Sequence, residues 1–184
     1  MDVQLPPTSY AVLGLLGRRG PMSGYDLTAY ADRSIAYFWP ISRSLVYREL
    51  ARLERLGLVT GTDVPQRRLP DKRIYDLTRE GERALDRWLV ENPFERDRGR
   101  SPFLLMFFFG ERIPPSRLRG LLDAYRRAAE QDIEDLTAIV EHLVGVPRAR
   151  FGYLAAQLGV RAARDRQEWA REVESALAAE PADP

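Results

Sequence analysis

A mainly α-helical chain with one small hairpin is the fold the sequence predicts, and three observations carry that prediction. Apolar residues recur at helical spacings along most of the 184 positions. The one pair of strand-like runs, Leu58 to Thr60 and Arg73 to Leu77, is joined by a polar connection from Val64 to Asp71 that proline breaks twice. The helical pattern entering that hairpin, Ser42 to Gly57, sets arginines on the face opposite its apolar residues.

The first predicted helix, Thr8 to Gly17, is almost wholly apolar (Tyr10, Val12, Leu13, Leu15, Leu16), as a short buried helix closed by Gly17 requires. After the turn Arg18 to Pro21, Ser23-Gly-Tyr-Asp26 has the form of a capping box. Tyr25, Leu27 and Tyr30 supply the inward face of that second helix. Gly24 weakens it relative to alanine and reads as a point of close packing against the first helix.

The third helix opens at Ser42, whose hydroxyl can cap it. Val46, Leu50 and Leu53 recur at spacings of four and three and predict a buried face, flanked by Leu45 and Leu56. Ser44, Arg48, Arg52 and Arg55 lie opposite, with Arg43 and Tyr47 near the start. Arginine suits nucleic acid because its planar fork bonds a guanine edge or two phosphate oxygens at once. Residues at the N-terminal end of such a helix reach bases, so Ser44, Tyr47 and Arg48 are the base-contact candidates, and Ser42, Arg43 and Arg52 join them at the surface. From Val64 to Arg73 the cations Arg67, Arg68, Lys72 and Arg73 face the single anion Asp71, a basic tip suited to phosphates. Tyr75 and Leu77 alternate inward, and Thr78 caps a further helix to about Val90. Three short helices followed by a basic hairpin is the order of a winged helix-turn-helix with a two-stranded wing.

The expected organisation is a DNA-binding winged helix-turn-helix over 1–91, a linker over 92–100 and an α-helical dimerisation domain over 101–184. Asn92 to Arg100 mixes breakers with opposed charges, and Ser101-Pro102 then starts a helix with a cap and a first-position proline. Ile113 to Pro115 and Gly145 to Pro147 bound a long helix and separate it from the last one. In the long helix Leu118, Leu122, Tyr125, Ala129, Leu136, Ile139 and Leu143 form an apolar stripe interrupted at Asp132. In the last helix Phe151, Leu154, Leu158, Ala162, Trp169 and Val173 form another, interrupted at Asp165. Such stripes need partner surface, which a second copy supplies together with the Phe103 to Phe109 helix. Phe103, Leu122, Tyr125, Phe151, Leu154, Leu158 and Trp169 are therefore the expected dimerisation residues.

Composition narrows the function. Net charge is only +1, which argues against indiscriminate nucleic-acid binding, and 14 basic against 12 acidic residues up to Glu91 give way to 14 against 15 beyond it. With no cysteine, disulfides and thiolate metal sites are excluded, and a cytoplasmic location is the expectation. The longest apolar run, Phe103 to Phe109, is far shorter than a membrane span, and no signal peptide is evident. His142 lacks a second ligand at metal spacing, and Glu130, Asp132, Glu134 and Asp135 read as a solvated face, so neither an enzyme, a metal site nor a cofactor is expected. Trp39, Trp88 and Trp169 could line an effector pocket at the domain junction, with core packing as the simpler account of each.

Motifs in order carry a resemblance to a known family. Ser9-Tyr-Ala-Val-Leu-Gly-Leu-Leu16, Gly24-Tyr-Asp-Leu27, Phe38-Trp-Pro40, Leu45-Val-Tyr-Arg-Glu-Leu50, Leu53-Glu54, Leu56-Gly-Leu58 and Tyr75-Asp-Leu-Thr78 with Gly81 resemble the PadR family of bacterial transcriptional regulators. Ser101 to Gly110 and the helix from Arg117 resemble the C-terminal domain of its longer, virulence-activator-like branch. The resemblance implies a dimeric regulator, most often a repressor, that places its third helix in the major groove of double-stranded DNA and its wing on the backbone. By position it assigns Ser44, Tyr47 and Arg48 to the helix contacts and Arg67, Arg68, Lys72 and Arg73 to the wing. Where many members have proline after the helix tyrosine, this chain has Arg48. The reading is a homodimeric repressor of a pseudo-palindromic operator. Two alternatives stand beside it: a sensor released from DNA by a small-molecule effector, and a dimeric interaction module with a vestigial winged helix.

Overall fold

The computed structural model describes residues 5–65, 72–93 and 99–179. The chain divides into two compact units, Met1–Arg96 and Asp97–Pro184. The first contains α1 (Pro7–Arg19), β1 (Met22–Ser23), α2 (Gly24–Ser34), α3 (Arg43–Arg55), β2 (Val59–Val64), β3 (Lys72–Leu77) and α4 (Arg79–Glu91). Its sheet is antiparallel with strand order β1-β3-β2. The expected two-stranded wing is β2 with β3, and a further strand, β1, joins its sheet by pairing Met22 with Tyr75 and Ser23 with Ile74. A strand of two residues is too short to leave an alternating pattern in the sequence.

Hydrophobicity and burial coincide in this unit. Val12, Leu13 and Leu16 of α1, Leu27 of α2 and Val46, Leu50 and Leu53 of α3 are at most 1% exposed, with Val59 and Tyr75 of the sheet beside them. A polar pair lies in the same core: the fully buried Ser9 hydroxyl donates to Glu49 Oε2 at 2.5 Å, tying α1 to α3. α1 does not stop at Gly17. It ends at Gly20, which takes a φ of 84° and donates its N–H to the Leu16 carbonyl at 2.7 Å. A left-handed residue is what turns the chain out of a helix, and glycine reaches that conformation without steric cost. Tyr25, expected to face inward, is 62% exposed. It lies two residues before the buried Leu27, about 200° around the helix.

Gly24 packs against a different helix from the one expected. A Cβ there would fall 2.7 Å from Cε1 of Tyr47, so the close neighbour is α3 and not α1. At the other end of the unit, Thr78 accepts the Gly81 N–H at 3.1 Å and donates its hydroxyl to the Gly57 carbonyl at 2.8 Å, which joins the start of α4 to the end of α3.

The second unit holds α5 (Pro102–Phe108), α6 (Pro115–Leu143) and α7 (Arg150–Ala179). Ser101 caps α5 through the Leu104 N–H at 3.2 Å. Cross-helix pairs run in opposite senses along the two long helices: Arg126 with Glu174, Glu130 with Gln167, Asp132 with Arg166. α6 and α7 are therefore antiparallel. Leu122, Ala129 and Leu136 on α6 and Ala156, Ala163 and Ala170 on α7 are buried at seven-residue intervals, with Val160 between. Alanines at such positions let helix axes approach closely. Asp132, which interrupts the predicted stripe, does so because it pairs with Arg166 at 2.6 Å.

This packing corrects one dimerisation residue outright. Leu122 is fully buried within the chain and has no surface left for a second copy. Phe103, Tyr125 and Trp169 are drawn together inside the unit. Phe103 stacks on Tyr125 at a centroid distance of 3.9 Å, and Trp169 stands edge-on to Phe103, Phe107 and Tyr125 at 6.0, 5.1 and 5.9 Å. Phe151, Leu154 and Leu158 lie off the alanine face of α7 and are 78%, 47% and 69% exposed. Among the described residues no helix is long and apolar enough to cross a membrane.

Candidate nucleic-acid interface

α3 is held from behind and open in front. Val46, Leu50 and Leu53 anchor it in the core, and Glu49 takes the Ser9 hydrogen bond, which leaves Ser42, Arg43, Ser44, Tyr47 and Arg48 exposed. Ser42 caps the helix by accepting the Leu45 N–H at 3.3 Å, and its oxygen lies 3.1 Å from that of Ser44. The first amides of any helix lack intrahelical acceptors and carry the positive end of its dipole, a setting that favours phosphate. Arg52, one turn beyond Arg48, is half-buried.

Two aromatic rings order the start of this surface. The Arg43 guanidinium lies 5.6 Å from the Tyr25 ring centroid and 5.8 Å from that of Tyr47, within cation–π range of both. Tyr47 in turn occupies the space that Gly24 leaves. The N-terminal ends of α2 and α3 thus present Tyr25, Arg43 and Tyr47 as one exposed group.

The wing strands behave otherwise. Lys72 Nζ lies 2.7 Å from Asp26 Oδ2 of α2, and that contact, with the Ser23 hydroxyl, holds the Asp26 carboxyl below its ordinary range. Arg73 donates to both Asp63 oxygens at 2.7 Å and to Glu54 Oε1 at 2.6 Å. These carboxylates, Asp63 first, push its already high pKa further up. Each of these two cations, expected from the sequence to face phosphate, has an acidic partner within the chain. Arg67 and Arg68, the other two wing cations, lie outside the described residues.

The tryptophans take separate settings. Trp88 stacks on Tyr10 at 4.6 Å within the first unit, and Trp169 belongs to the aromatic group of the second. Trp39 is 38% exposed in the loop before α3, after Tyr37 and Phe38, whose rings meet edge-on at 4.7 Å. Sequence reasoning missed Tyr25, Asp26, Glu54 and Asp63. Of these, Asp63 was within reach, since pairing β2 with β3 in register sets it opposite Arg73.

Residues 12–87 match the transcriptional regulator PadR-like family and residues 99–178 match the virulence activator alpha C-terminal family. The negative transcriptional regulator PadR of Bacillus subtilis is 30% identical over 135 residues, covering 73% of this chain and 74% of that protein. The probable transcriptional regulator Rv1176c of Mycobacterium tuberculosis is 30% identical over 173 residues, covering 84% and 89%. The crystal structure of Bacillus subtilis PadR in complex with operator DNA superposes with a TM-score of 0.82 at 26% identity, over 94% of this chain and 99% of that one.

Proposed function

The chain belongs to the PadR-like family of transcriptional regulators, and from that premise we propose that it is a homodimeric repressor of a pseudo-palindromic operator. One observation carries the reading: Ser42, Arg43, Ser44, Tyr47 and Arg48 are exposed together on the first two turns of a helix whose other face is locked into a core. In this reading Ser42 and Arg43 hold phosphates, Ser44, Tyr47 and Arg48 reach base edges in the major groove, and Arg52 adds a phosphate contact. Arg67 and Arg68 extend the surface on their charge alone. That the Bacillus subtilis relative was solved on operator DNA and is named a negative regulator supports DNA as the partner and repression as the sign.

Dimerisation rests on exposed apolar surface in the second unit. Leu105, Phe108, Phe151, Leu154 and Leu158 are large apolar side chains between 47% and 78% exposed, the kind of surface that marks a protein–protein contact. A second copy covers them and sets two copies of α3 on successive turns of one DNA face. The working place of such a repressor is the cytoplasm.

Footprinting on the DNA flanking its own gene tests the reading. The expected result is protection of two related half-sites, with affinity falling steeply as salt rises. Equal affinity for the flanking DNA and a scrambled duplex of the same composition would sink it.

A further inference from the structure

Arg73 is shared among three elements. From β3, its Nη1 donates to both oxygens of Asp63, its cross-strand neighbour on β2, at 2.7 Å, and its Nη2 donates to Glu54 Oε1 on α3 at 2.6 Å. The same Glu54 oxygen accepts the backbone N–H of Gly61 on β2 at 3.0 Å. Gly61 is small where the junction is tightest: a Cβ there would fall 2.5 Å from both Arg73 Nε and Glu54 Oε1. The guanidinium also lies 5.9 Å from the centroid of Tyr75, two residues along the same strand. On the preceding residue, Lys72 ties the strand to α2 through Asp26.

We propose that Arg73 is a positioning residue of the DNA-binding surface, one whose fork between Glu54 and Asp63 sets the pitch of the wing against α3 without itself touching phosphate. This rests on the DNA-binding reading above. Charge and shape both favour it. One guanidinium between two carboxylates leaves a local net negative charge, the wrong sign to attract a phosphate. Its two terminal nitrogens donate to two different elements, and a planar fork fixes an angle where a lysine ammonium would supply only a charge. The Arg73 and Asp63 side chains are 39% and 68% exposed, and ion pairs so open to water add little to stability, so the network acts on geometry.

Four full-length variants, Arg73→Gln, Arg73→Lys, Glu54→Gln and the double Glu54→Gln/Arg73→Gln, separate positioning from contact. The probe is the duplex protected in the footprint of its own upstream DNA, titrated over a range of salt, with circular dichroism to confirm folding. Each single variant is expected to bind about tenfold more weakly, within the range found for residues of one ion-pair network, and the double no more weakly than either. The slope of log affinity against log salt should stay at the wild-type value, and lysine should not rescue. A phosphate contact predicts the reverse: the slope shrinks by about 0.9 in Arg73→Gln, Arg73→Lys binds like wild type, and Glu54→Gln, which frees the arginine, binds more tightly. Either that pattern or four variants indistinguishable from wild type overturns the inference. Failure of the wild-type protein to prefer any upstream site is a separate result, which overturns the DNA-binding reading and this inference with it.

Discussion

Arg48 is exposed on the second turn of α3, whereas the next residue, Glu49, is 5% exposed and accepts a hydrogen bond from the fully buried Ser9 of α1. The two side chains therefore answer to different measurements. Arg48→Ala removes a fork from the surface, and the expected loss is about 1–3 kcal/mol of specific binding with relaxed preference at one base position. Binding to an operator series carrying single base changes checks this, and equal weakening on operator and random DNA would mean that Arg48 holds a phosphate. Ser9→Ala instead leaves a buried carboxylate oxygen without its donor, which costs about 1–3 kcal/mol of stability. Urea unfolding should show the lowered midpoint while the folded fraction binds DNA as before. An unchanged midpoint would mean that the Ser9 hydrogen bond adds nothing net to the fold.

Two glycines join elements of the first unit, and the same substitution should affect them in opposite ways. At Gly24 the nearest atoms an added methyl meets belong to the ring of Tyr47, which is 40% exposed and can swing aside. Gly24→Ala should leave the melting temperature equal or higher, since alanine is the better helix former by up to about 1 kcal/mol, yet weaken operator binding by displacing Tyr47. At Gly81 the methyl would overlap the Leu58 carbonyl oxygen, and backbone cannot swing aside. Gly81→Ala should cost at least about 1–3 kcal/mol, the range for overpacking. A Gly24→Ala protein that melts low and binds normally would detach Tyr47 from this contact. Such junctions also mark what the sequence could tell. The two faces of α3 were legible because Val46, Leu50 and Leu53 repeat at helical spacing and burial follows them, and Ser42 was legible because a cap acts within one turn. The partner of Gly24 lies on another helix, that of Glu49 is 40 residues away, and the employment of Arg73 depends on strand register, so local periodicity carries none of them. The α6 side of the α6–α7 contact, Leu122, Ala129 and Leu136, lies on the apolar stripe of that helix, whereas the α7 side does not, for a related reason. Ala156, Ala163 and Ala170 contribute weakly to an apolar stripe, although close helix packing selects small side chains.

For the whole molecule the decisive position is Leu158. α7 has two apolar faces: the alanine face is consumed against α6 within the chain, and Phe151, Leu154 and Leu158 are left in water. Leu158 is 69% exposed, so Leu158→Glu should leave the fold of a single chain intact, whereas a charge at the fully buried Leu122 would disrupt the α6–α7 pair itself. In the dimer the same glutamate would be buried without a partner, at a cost of several kcal/mol, about enough to yield monomers at micromolar concentration. Operator affinity should fall with it, because half-sites about 34 Å apart are read together only when one assembly holds two copies of α3 at that spacing. Sedimentation velocity reads the oligomeric state, circular dichroism confirms folding, and a titration on the footprinted duplex reads the affinity. A folded Leu158→Glu protein that stays dimeric and binds its operator normally would move the interface off this stripe and onto other exposed apolar surface of the chain, such as Leu104, Leu105 and Phe108 of α5.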